Sequence, residues 1–345
     1  MIAATLTRLV VNIPHRMIYP FLPAFSRGLG VPLEALTLIL SVRNGLGMAA
    51  PFFGVIPDRL GQRSAMLIGL GVFTGGLGLA AFFPGYYTFF AAIVGVVVTR
   101  FIIDPALQAY LSDRIAYSQR GLVIALTEIG WSGAALIGFP AVGFLIAWGG
   151  WQAPLWPLAG LGLAAMLVIW RLIPPAAPRV SPAGGARPNQ LALVWLNPRI
   201  LAAMSLSLFG SAANETLNTV YALWLEQTFN LSLQTLALTV GLALGVAELA
   251  GEGLVMSLVD RWGKRRSIAV GLAVSVVAYF LLPFFSQSLP LALGGLFFIF
   301  MTFEFSIVAS IPLVSELLPE ARGTAMSSNV AFHAAGRMAG ALLGG

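Results

Sequence analysis

Cysteine is absent from the 345-residue sequence, and only 9% of its residues are charged. Without cysteine the chain has no disulfide framework, no thiolate metal site and no cysteine nucleophile. Soluble domains are about one quarter charged, so the low charge content excludes an ordinary water-soluble fold. His15 and His333, the two histidines, have no acidic or cysteine cluster beside them in the sequence. We therefore predict no metal site and expect both histidines to line polar walls.

Motifs for common enzyme chemistry are also absent. The sequence has no glycine-rich phosphate-binding loop and no Gly-x-Ser-x-Gly nucleophile turn. Energy from bound ATP and hydrolytic catalysis therefore have no support in the sequence. We predict a protein that is not an enzyme and that needs no cofactor.

Long apolar stretches fill most of the chain. Hydrophobic residues make up 58% of it, and the mean hydropathy is +0.89, so lipid must be the solvent for most of the surface. The stretches are about 20 to 28 residues long, enough for a helix to cross a hydrocarbon core of about 30 Å, and they lack the alternation of barrel strands. We predict an all-α integral membrane protein whose spans 1 to 6 are Ala3 to Phe25, Leu33 to Ile56, Ser64 to Phe83, Tyr86 to Leu111, Gly121 to Trp148 and Trp151 to Ile173.

A stretch rich in proline, alanine and glycine, Pro174 to Asn197, separates these six spans from a second set. We predict an N-terminal bundle over residues 1–174, a linker over 175–199 and a second bundle over 200–345. Spans 7 to 10 are expected at Ile200 to Leu225, Leu233 to Val259, Ser267 to Phe285 and Leu289 to Leu317, and span 11 starts near Gly323 and is cut off at Gly345.

Basic residues are concentrated in every second connection between spans. Connections after the odd-numbered spans hold only Arg27, whereas those after the even-numbered spans hold thirteen arginines and lysines. Cytoplasmic loops carry such an excess, so we predict a multi-pass protein of the plasma (inner) membrane with its N-terminus and linker in the cytoplasm. This distribution explains the net charge of +6 without a nucleic-acid partner. The thirteen are Arg59, Arg63, Arg114, Arg120, Arg171, Arg179, Arg187, Arg199, Arg261, Lys264, Arg265, Arg266 and Arg322.

The two halves of the sequence are related by a shift of 202 positions. The hexapeptide DRLGQR, which begins at Asp58, returns as DRWGKR from Asp260. Such a repeat predicts two homologous six-helix bundles related by an axis along the membrane normal. The same shift aligns Asn12 with Asn214, Tyr19 with Tyr221, and Arg120-Gly121 with Arg322-Gly323.

By this repeat, Gly345 corresponds to Gly143, which lies inside span 5. We therefore expect the intact protein to run about 30 residues further, through the end of span 11 and a span 12. The alternative is a natural eleven-span protein, whose second bundle would remain open. If span 12 is missing, the 345-residue chain is expected to transport weakly or not at all.

The repeated hexapeptide resembles the loop motif of the major facilitator superfamily, a family of membrane transporters. Gly54 precedes the first copy, and Met256 replaces that glycine before the second. Arg100 in span 4 and the segment Pro319 to Thr324 are further matches. The resemblance implies two six-helix bundles around a central cavity and a loop that latches the bundles together in one state. The residues in this role would be Gly54, Asp58, Arg59, Gly61, Arg63, Arg120, Asp260, Arg261, Gly263, Arg265 and Arg322.

Physical chemistry gives the loop motif a role of its own. Arg59 and Arg63 are anchors that cannot cross the bilayer, and Asp58 precedes span 3, where it can cap a helix N-terminus. A topology anchor alone is the alternative, but it would explain the arginines and not the aspartate.

Span 5 contains Gly138, Pro140 and Gly143, part of the Gly-Pro-x-x-Gly-Gly pattern of export-type members of the resembled family. On this resemblance we expect export, as by bacterial drug or sugar efflux proton antiporters. The alternative is purely structural, because proline and glycine bend a membrane helix or allow close approach.

Charged residues within the spans avoid three of the helices. Each costs about 2.5 to 3.5 kcal/mol to insert, so each needs a partner, a cavity or a function. Spans 3, 6 and 9 have none in their cores. In the resembled family, spans 3, 6, 9 and 12 are outer supports and the other eight surround the cavity, which agrees with this division. The charged residues are Arg16, Arg43, Arg100, Asp104, Glu128, Glu215, Glu248, Glu252, Glu304 and Arg337.

Span 1 has a polar stripe at helical spacing, formed by Arg8, Asn12, His15 with Arg16, and Tyr19. Because this spacing puts the residues on one helix face, we expect that face to line the cavity. A structural hydrogen-bonded seam is the alternative. The predicted cavity residues are Asn12, His15, Arg16, Tyr19, Arg43, Arg100, Asp104, Asn214, Glu215, Tyr221, Glu304, His333 and Arg337.

The interiors of the two bundles have complementary charges, with arginine prevailing in the first and glutamate in the second. Superposition of the repeat puts Arg16 at a depth similar to that of Glu215, and Arg100 at a depth similar to that of Glu304. Either pair could be made in one state and broken in another. An ion pair between Arg100 and Asp104, one turn apart, is the alternative.

Proton coupling requires a carboxylate that can take up a proton near neutral pH, which burial and neighbouring like charges favour. Glu248 and Glu252 are the first candidates, because they lie one turn apart in span 8 and their charges repel. Glu304 and Glu215 come next. Glu128 lies nearer the cytoplasmic end, where water can reach it.

These observations predict a secondary transporter that exports a small organic solute in exchange for protons by alternating access. The alternative is an importer or facilitator of a sugar-like or anionic solute, in which Arg16, Arg43 and Arg337 hold a carboxylate or phosphate. A membrane receptor, scaffold or intramembrane enzyme is a third alternative, but it would not require charges restricted to the cavity spans. We expect a monomer whose partners are the solute and the lipid bilayer.

Overall fold

A computed structural model describes residues 2–53, 55–114, 129–174, 188–318 and 322–345. Every regular element in these ranges is a helix, which confirms the predicted all-α class. Gly54, Arg120, Glu128 and half of the segment Pro319 to Thr324 (residues 319–321) lie outside the described residues, so those predictions stay untested.

Within the described ranges the helices group into eleven segments that correspond to the predicted spans. Spans 1 to 6 are Ile2–Met17 with Leu22–Leu29; Leu33–Gly45, Leu46–Ala49, Ala50–Phe53 and Val55–Leu60; Gln62–Phe82; Tyr86–Arg114; Ala134–Gly138 with Phe139–Gly149; and Leu155–Leu172. Spans 7 to 11 are Pro198–Phe229; Leu233–Trp262; Lys264–Leu281 with Leu282–Gln287; Leu289–Leu317; and Arg322–Leu343. We call the end of the molecule that holds residues 58–63 and 260–265 the motif end, and the opposite end, with residues 30–32 and 230–232, the far end.

Length and composition alone mark seven helices in the described ranges as able to cross a membrane, and one bent pair adds an eighth. Spans 1, 2, 7 and 11 are not among the seven, and the bent pair joins Leu22–Leu29 of span 1 to Leu33–Ala49 of span 2. These helices contain many of the buried polar residues, including Arg16, Glu215 and Asn329, so their mean hydropathy is low although neighbouring helices cover their polar faces. In spans 6 and 9, by contrast, only 22% and 17% of the apolar window is buried, as expected for outer supports.

Span 1 is broken in its middle. Residues 18–21 form a turn, and the helix resumes at Leu22. Pro20 explains part of the break, since proline has no amide N–H to donate and its ring crowds the preceding turn of a helix. Span 7, its counterpart in the repeat, is continuous over Pro198–Phe229.

The repeat is visible in the backbone at the loop motif. Gly61 and Gly263 precede spans 3 and 9 with nearly the same conformation, φ 81° and ψ 151° against φ 81° and ψ 143°. Positive φ is accessible to glycine at little cost, which explains a glycine in both copies. The shift is not constant, however, since spans 2 and 8 begin at Leu33 and Leu233, 200 positions apart. The shift is 202 again at Asp58 and Asp260, because span 8 is two residues longer than span 2 up to the motif.

A helix that the sequence did not predict, Pro188–Trp195, occupies part of the linker. Val194 is fully buried in a cluster with Ile200 and Met204, and the Trp195 ring lies 5.5 Å from that of Phe332. These contacts fasten the helix to the second bundle. The domain boundaries at 174 and 200 remain predictions.

The two bundles meet along spans 5 and 8 and along spans 2 and 11. At the first contact a Cβ on Gly143 would lie 2.4 Å from the Cβ of Ala237, and one on Gly241 would lie 2.7 Å from the carbonyl oxygen of Ala135. At the second, a Cβ on Gly47 would lie 2.7 Å from that of Ala334. Small residues thus let the backbones of opposite bundles approach closely.

A glycine stripe on span 11 packs against span 7. A Cβ on Gly340 would lie 2.3 Å from the carbonyl oxygen of Ala212, whereas one on Gly294 in span 10 would meet nothing within 4 Å. We expect Gly340→Ala to destabilise the protein by about 1–3 kcal/mol, the usual cost of overpacking. The matched control Gly294→Ala should be neutral or slightly stabilising, because alanine favours the helix. Thermal unfolding of both variants in detergent checks this, and equal melting temperatures would contradict it.

Candidate substrate cavity and the polar seam between the bundles

A small cavity lies at the middle of the molecule, between the bundles. Its volume is about 40 Å³, room for one or two water molecules. Spans 1, 5, 7, 8, 10 and 11 supply its walls. Spans 3, 6 and 9 supply none, as the division by charge predicts, but spans 2 and 4, which that division places around the cavity, supply none either. The lining residues are Arg16, Tyr19, Trp131, Phe139, Asn214, Asn218, Tyr221, Leu244, Glu248, Phe300, Phe303, Glu304 and Arg337.

Arg16 and Glu248 form a two-pronged ion pair between the bundles. The Nη1 and Nη2 atoms of Arg16 donate to the two carboxylate oxygens of Glu248 at 2.7 and 2.6 Å. Both residues are buried, 5% and 4% exposed. Arg16 also donates to the carbonyl oxygen of Trp131 at 2.8 Å, and its guanidinium lies 4.5 Å from the centre of that ring. Parallel charge-assisted hydrogen bonds of this kind are among the strongest in proteins.

The carbonyl of Trp131 lies on the α-helical turn, residues 129–133, with which the described part of span 5 begins. Residues Ala134–Gly138 then form a π-helical turn. Such turns widen the helix locally and are frequent at functional sites. Phe139, the next residue, places its ring 5.6 Å from the Arg16 guanidinium, so span 5 encloses that guanidinium from two sides.

A second buried polar cluster, centred on Glu215, lies beside the cavity. Tyr19 and Asn44 donate to its Oε1 atom at 2.6 and 2.7 Å. Arg43 approaches the same oxygen to 3.8 Å and donates to the Tyr19 hydroxyl and to the carbonyl oxygen of His15. Arg43 is 0% and Glu215 1% exposed. We call Tyr19, Arg43, Asn44 and Glu215 the polar seam.

These contacts show the charge pairing of this conformation. Arg16 pairs with Glu248 and Glu215 belongs to the polar seam, so the pair of Arg16 with Glu215 that the repeat offered for one state is not formed here. That pair stays a prediction for another state. Arg43 and Glu215, predicted as cavity residues, are not among the lining residues.

Arg100 contacts Asp104 one turn away at 3.5 Å, which is the local alternative to a pair with Glu304. Arg8 approaches the same aspartate to 3.5 Å. The Arg100 guanidinium lies 4.9 Å from the centre of the Trp131 ring. This group therefore stands next to the cavity wall and within the first bundle.

Glu304 and Arg337 both line the cavity. Within the described part of the chain, neither side chain forms a hydrogen bond or an ion pair, with each other or with any other residue. The other lining charges, Arg16 and Glu248, neutralise each other. Glu252, one turn beyond Glu248, is half-buried and has a partner of its own.

The two histidines and Asn12, predicted to line the cavity, are not among its lining residues. His333 Nδ1 lies 2.6 Å from the Ser211 hydroxyl, and the His15 ring lies 6.0 Å from that of Trp131. Asn12 is buried as well. The described residues contain no group of three or more acidic or histidine side chains that could hold a metal ion.

The loop-motif residues are described only in part. The side chains of Asp58, Arg59, Asp260 and Arg322 lie outside what the structure describes. Arg63 donates to the carbonyl oxygen of Trp170 at 2.6 Å and so ties span 3 to span 6 of the same bundle. Arg261 and Arg265 are exposed. The predicted latch between bundles stays a prediction.

The span 5 motif residues serve packing. A Cβ on Gly138 would lie 2.7 Å from the Ile13 side chain of span 1, whereas Gly143 and Pro140 face Ala237 and Gly241 of span 8. The motif thus lets span 5 touch both its own bundle and the opposite one.

Sequence reasoning missed the aromatic wall and the amide of the polar seam. Trp131, Phe139, Phe300 and Phe303 line the cavity, but apolar rings in apolar spans carry no signal that separates cavity from lipid. Asn44 did carry one, since a polar residue next to Arg43 inside a span needs a hydrogen-bond partner.

Comparison with known proteins places the whole chain in one group. A family model described as Major Facilitator Superfamily matches residues 2–341. The uncharacterized MFS-type transporter YbcL of Bacillus subtilis (strain 168) is 23% identical, covering 97% of this chain and 85% of that protein. The inner membrane transport protein YdhP of Escherichia coli (strain K12) is 24% identical, covering 94% and 82%.

A solved structure shares the fold. The bacterial homolog to human lysosomal transporter Spinster, in its inward-facing and unoccupied conformation, superposes with a TM-score of 0.83 at 14% identity, covering 99% of this chain and 80% of that one.

Proposed function

Because the chain belongs to the major facilitator superfamily, a family of membrane transporters, we propose that it exports a small organic solute in exchange for protons. Transport and a multi-pass location in the membrane follow from the family. The coupling ion, the direction and the cytoplasmic position of the motif end are our proposals. One chain lines the central cavity, which supports action as a monomer.

The observation that best supports proton coupling is the ion pair between Arg16 and Glu248. It joins spans 1 and 8, which belong to opposite bundles, so the pair must break when the bundles separate in the middle. A carboxylate left in a low-dielectric cavity without its arginine gains from taking up a proton. Breaking and remaking the pair therefore couples proton uptake and release to the movement of the bundles.

The conformation itself indicates which side is open. Contacts between the bundles run from the far end, where Arg27 and Glu226 form a salt bridge at 2.9 Å, to the middle, where Arg16 meets Glu248. The likeness to an inward-facing structure supports the same state. With the motif end in the cytoplasm, this is the cytoplasm-facing state, in which Glu248 is deprotonated and held as a carboxylate by the Arg16 guanidinium.

The order of proton uptake and release then follows from the charges of Arg16 and Glu248. When the far end opens, Glu248 separates from Arg16 and takes a proton from outside. On return to the observed conformation, Arg16 displaces that proton into the cytoplasm. A solute that occupies the cavity while the protein changes from the cytoplasm-facing to the outward-facing state is carried outward. The glycine and proline pattern of span 5, resembling that of exporters, supports this direction, and import of an anionic or sugar-like solute is the alternative.

Accumulation in cells tests the proposal. Solutes that stabilise the purified protein in a thermal-shift screen are given in labelled form to cells with and without it. We expect cells with the protein to accumulate less solute, and an uncoupler to remove the difference. Accumulation that is higher with the protein and falls with the uncoupler would indicate import, and insensitivity to the uncoupler would contradict proton coupling.

A matched pair of variants tests whether Glu248 carries the proton in this assay. Glu248→Gln removes the proposed proton carrier. Glu316→Gln removes an exposed glutamate that pairs with Lys264 near the motif end and should leave export unchanged.

A further inference from the structure

Two side chains of opposite charge type line the central cavity without a hydrogen bond or ion pair in the described part of the chain, and they specify a kind of ligand. Arg337 on span 11 and Glu304 on span 10 both line it, and within the described residues neither forms a hydrogen bond or ion pair. Burial of a charge is costly unless a partner compensates it. Glu304 and Arg337 are both half-buried, so each has lost part of its hydration without gaining a hydrogen-bond partner, and a ligand of opposite charge can supply one.

The other charged side chains near the cavity are bound to each other, so Arg337 and Glu304 are the two that can recognise a charged ligand. Arg16 is held by both oxygens of Glu248, and Arg43, predicted earlier as an anion-binding residue, is fully buried in the polar seam. Of the three arginines considered for a carboxylate or phosphate, only Arg337 is available. The lining side chains sum to zero charge, with two arginines against two glutamates.

The rest of the wall is largely aromatic. Tyr221 and Phe300 stand edge to face, with ring centres 6.3 Å apart, and Phe303 is next to Glu304 in the chain. Such rings bind apolar bodies and attract cations over their faces. The Tyr221 hydroxyl is buried and has no hydrogen-bond partner in the described part of the chain, so it offers one more donor to a ligand oxygen.

We infer that the solute is a small zwitterion with an apolar or aromatic body: its carboxylate binds Arg337, its ammonium group binds Glu304, and its body lies among Tyr221, Phe300 and Phe303. A simple organic anion would leave Glu304 uncompensated, and a simple cation would leave Arg337 uncompensated. The inference rests on the proposed function for its use of the central cavity. The cavity of about 40 Å³ is too small for such a solute, which therefore binds as the bundles separate on the motif side.

Four probes of one shape test the inference by equilibrium binding to the detergent-purified full chain, without any gradient. They are phenylalanine (zwitterion), 3-phenylpropionate (carboxylate only), phenethylamine (amine only) and 3-phenylpropanamide (uncharged). We expect phenylalanine to bind the unaltered protein at least about tenfold more tightly than each of the others, a margin that one compensated charge readily supplies. Equal binding of phenethylamine or of 3-phenylpropionate would overturn the inference, and so would absence of binding by all four.

Two variants test which charged group of the ligand binds to Arg337 and which binds to Glu304. In Arg337→Gln, phenylalanine should lose its advantage over phenethylamine, and in Glu304→Gln it should lose its advantage over 3-phenylpropionate. Both variants remove a charge that has no partner in the described structure, so we expect both to fold, as a single peak in size-exclusion chromatography will show. An unchanged order of affinities in the folded variants would overturn the assignment. Because no proton gradient is used, failure here is distinguishable from failure of proton coupling, which only the accumulation assay reports.

Discussion

Replacing Glu248 by glutamine is expected to abolish proton-coupled export, with a fall in gradient-driven transport of about tenfold or more. Glutamine cannot take up and release a proton, and it leaves the buried Arg16 guanidinium without a counter-charge. Loss of one member of a buried ion pair costs about 3–5 kcal/mol, more than the 1.4 kcal/mol that corresponds to a factor of ten. Transport in proteoliposomes with an imposed pH gradient measures the effect.

The double variant Arg16→Gln, Glu248→Gln separates stability from coupling. Two neutral amides can hydrogen-bond to each other, so thermal stability should recover toward that of the unaltered protein. Coupling should not recover, because no titratable group remains at this position. Gradient-driven export by the double variant would show that the proton is carried elsewhere, with Glu304 or Glu252 as the next candidates.

Removal of Arg43 is expected to have the second large effect, on stability. Arg43→Met leaves Glu215 buried with two hydrogen-bond donors but without a cation, and breaking such a cluster costs about 3–5 kcal/mol. Arg27→Gln is the matched control, because this arginine also contacts a glutamate of the opposite bundle but is 61% exposed. Solvent-exposed pairs contribute about 0–1 kcal/mol. Chemical or thermal unfolding in detergent compares the two.

The double variant Arg43→Met, Glu215→Leu tests whether the lost stability comes from leaving Glu215 without a cation. Removing both charges should restore much of the lost stability, since a buried ion pair and an apolar pair of similar volume are often equivalent. If Arg43→Met unfolds no more easily than Arg27→Gln, the polar seam is not a stabilising element and its place beside the cavity needs another explanation.

The architecture could be predicted from the sequence because it depends on properties averaged over many residues, such as hydropathy and the distribution of charge. Apolar length defines the spans, and a repeated hexapeptide identifies corresponding helices. Charges that avoid spans 3, 6 and 9 distinguish inner from outer helices, and none of these three spans is among the described walls of the cavity. Each of these signals sums over many residues, so an error at one position does not change the conclusion.

Pairing inside the cavity could not be predicted in the same way, since it depends on register. The break at residues 18–21, the turn Leu46–Ala49 and the π-helical turn Ala134–Gly138 each rotate the residues that follow. None has a periodic signal in the sequence. Which glutamate meets Arg16 depends on how spans 1 and 8 face each other across the two bundles, and this too has no signal in the sequence. The residues of the predicted polar stripe of span 1, Arg8, Asn12, His15, Arg16 and Tyr19, are all buried.

The central claim is that deprotonated Glu248, held by Arg16, keeps the far end closed. Since the sequence has no cysteine, spin labels can be attached at introduced pairs: Phe83→Cys with Gln287→Cys at the far end, and Ser64→Cys with Arg266→Cys at the motif end. All four positions are exposed. The pairs report the distance between the bundles at each end.

Double electron–electron resonance of these pairs at pH 8 and pH 5 is the most direct measurement. The account predicts one short far-end distance at pH 8, a second and longer far-end population at pH 5 with a shorter motif-end distance, and the long far-end population at both pH values in Glu248→Gln. Distance distributions that are the same at both pH values, and unchanged by Glu248→Gln, would contradict it.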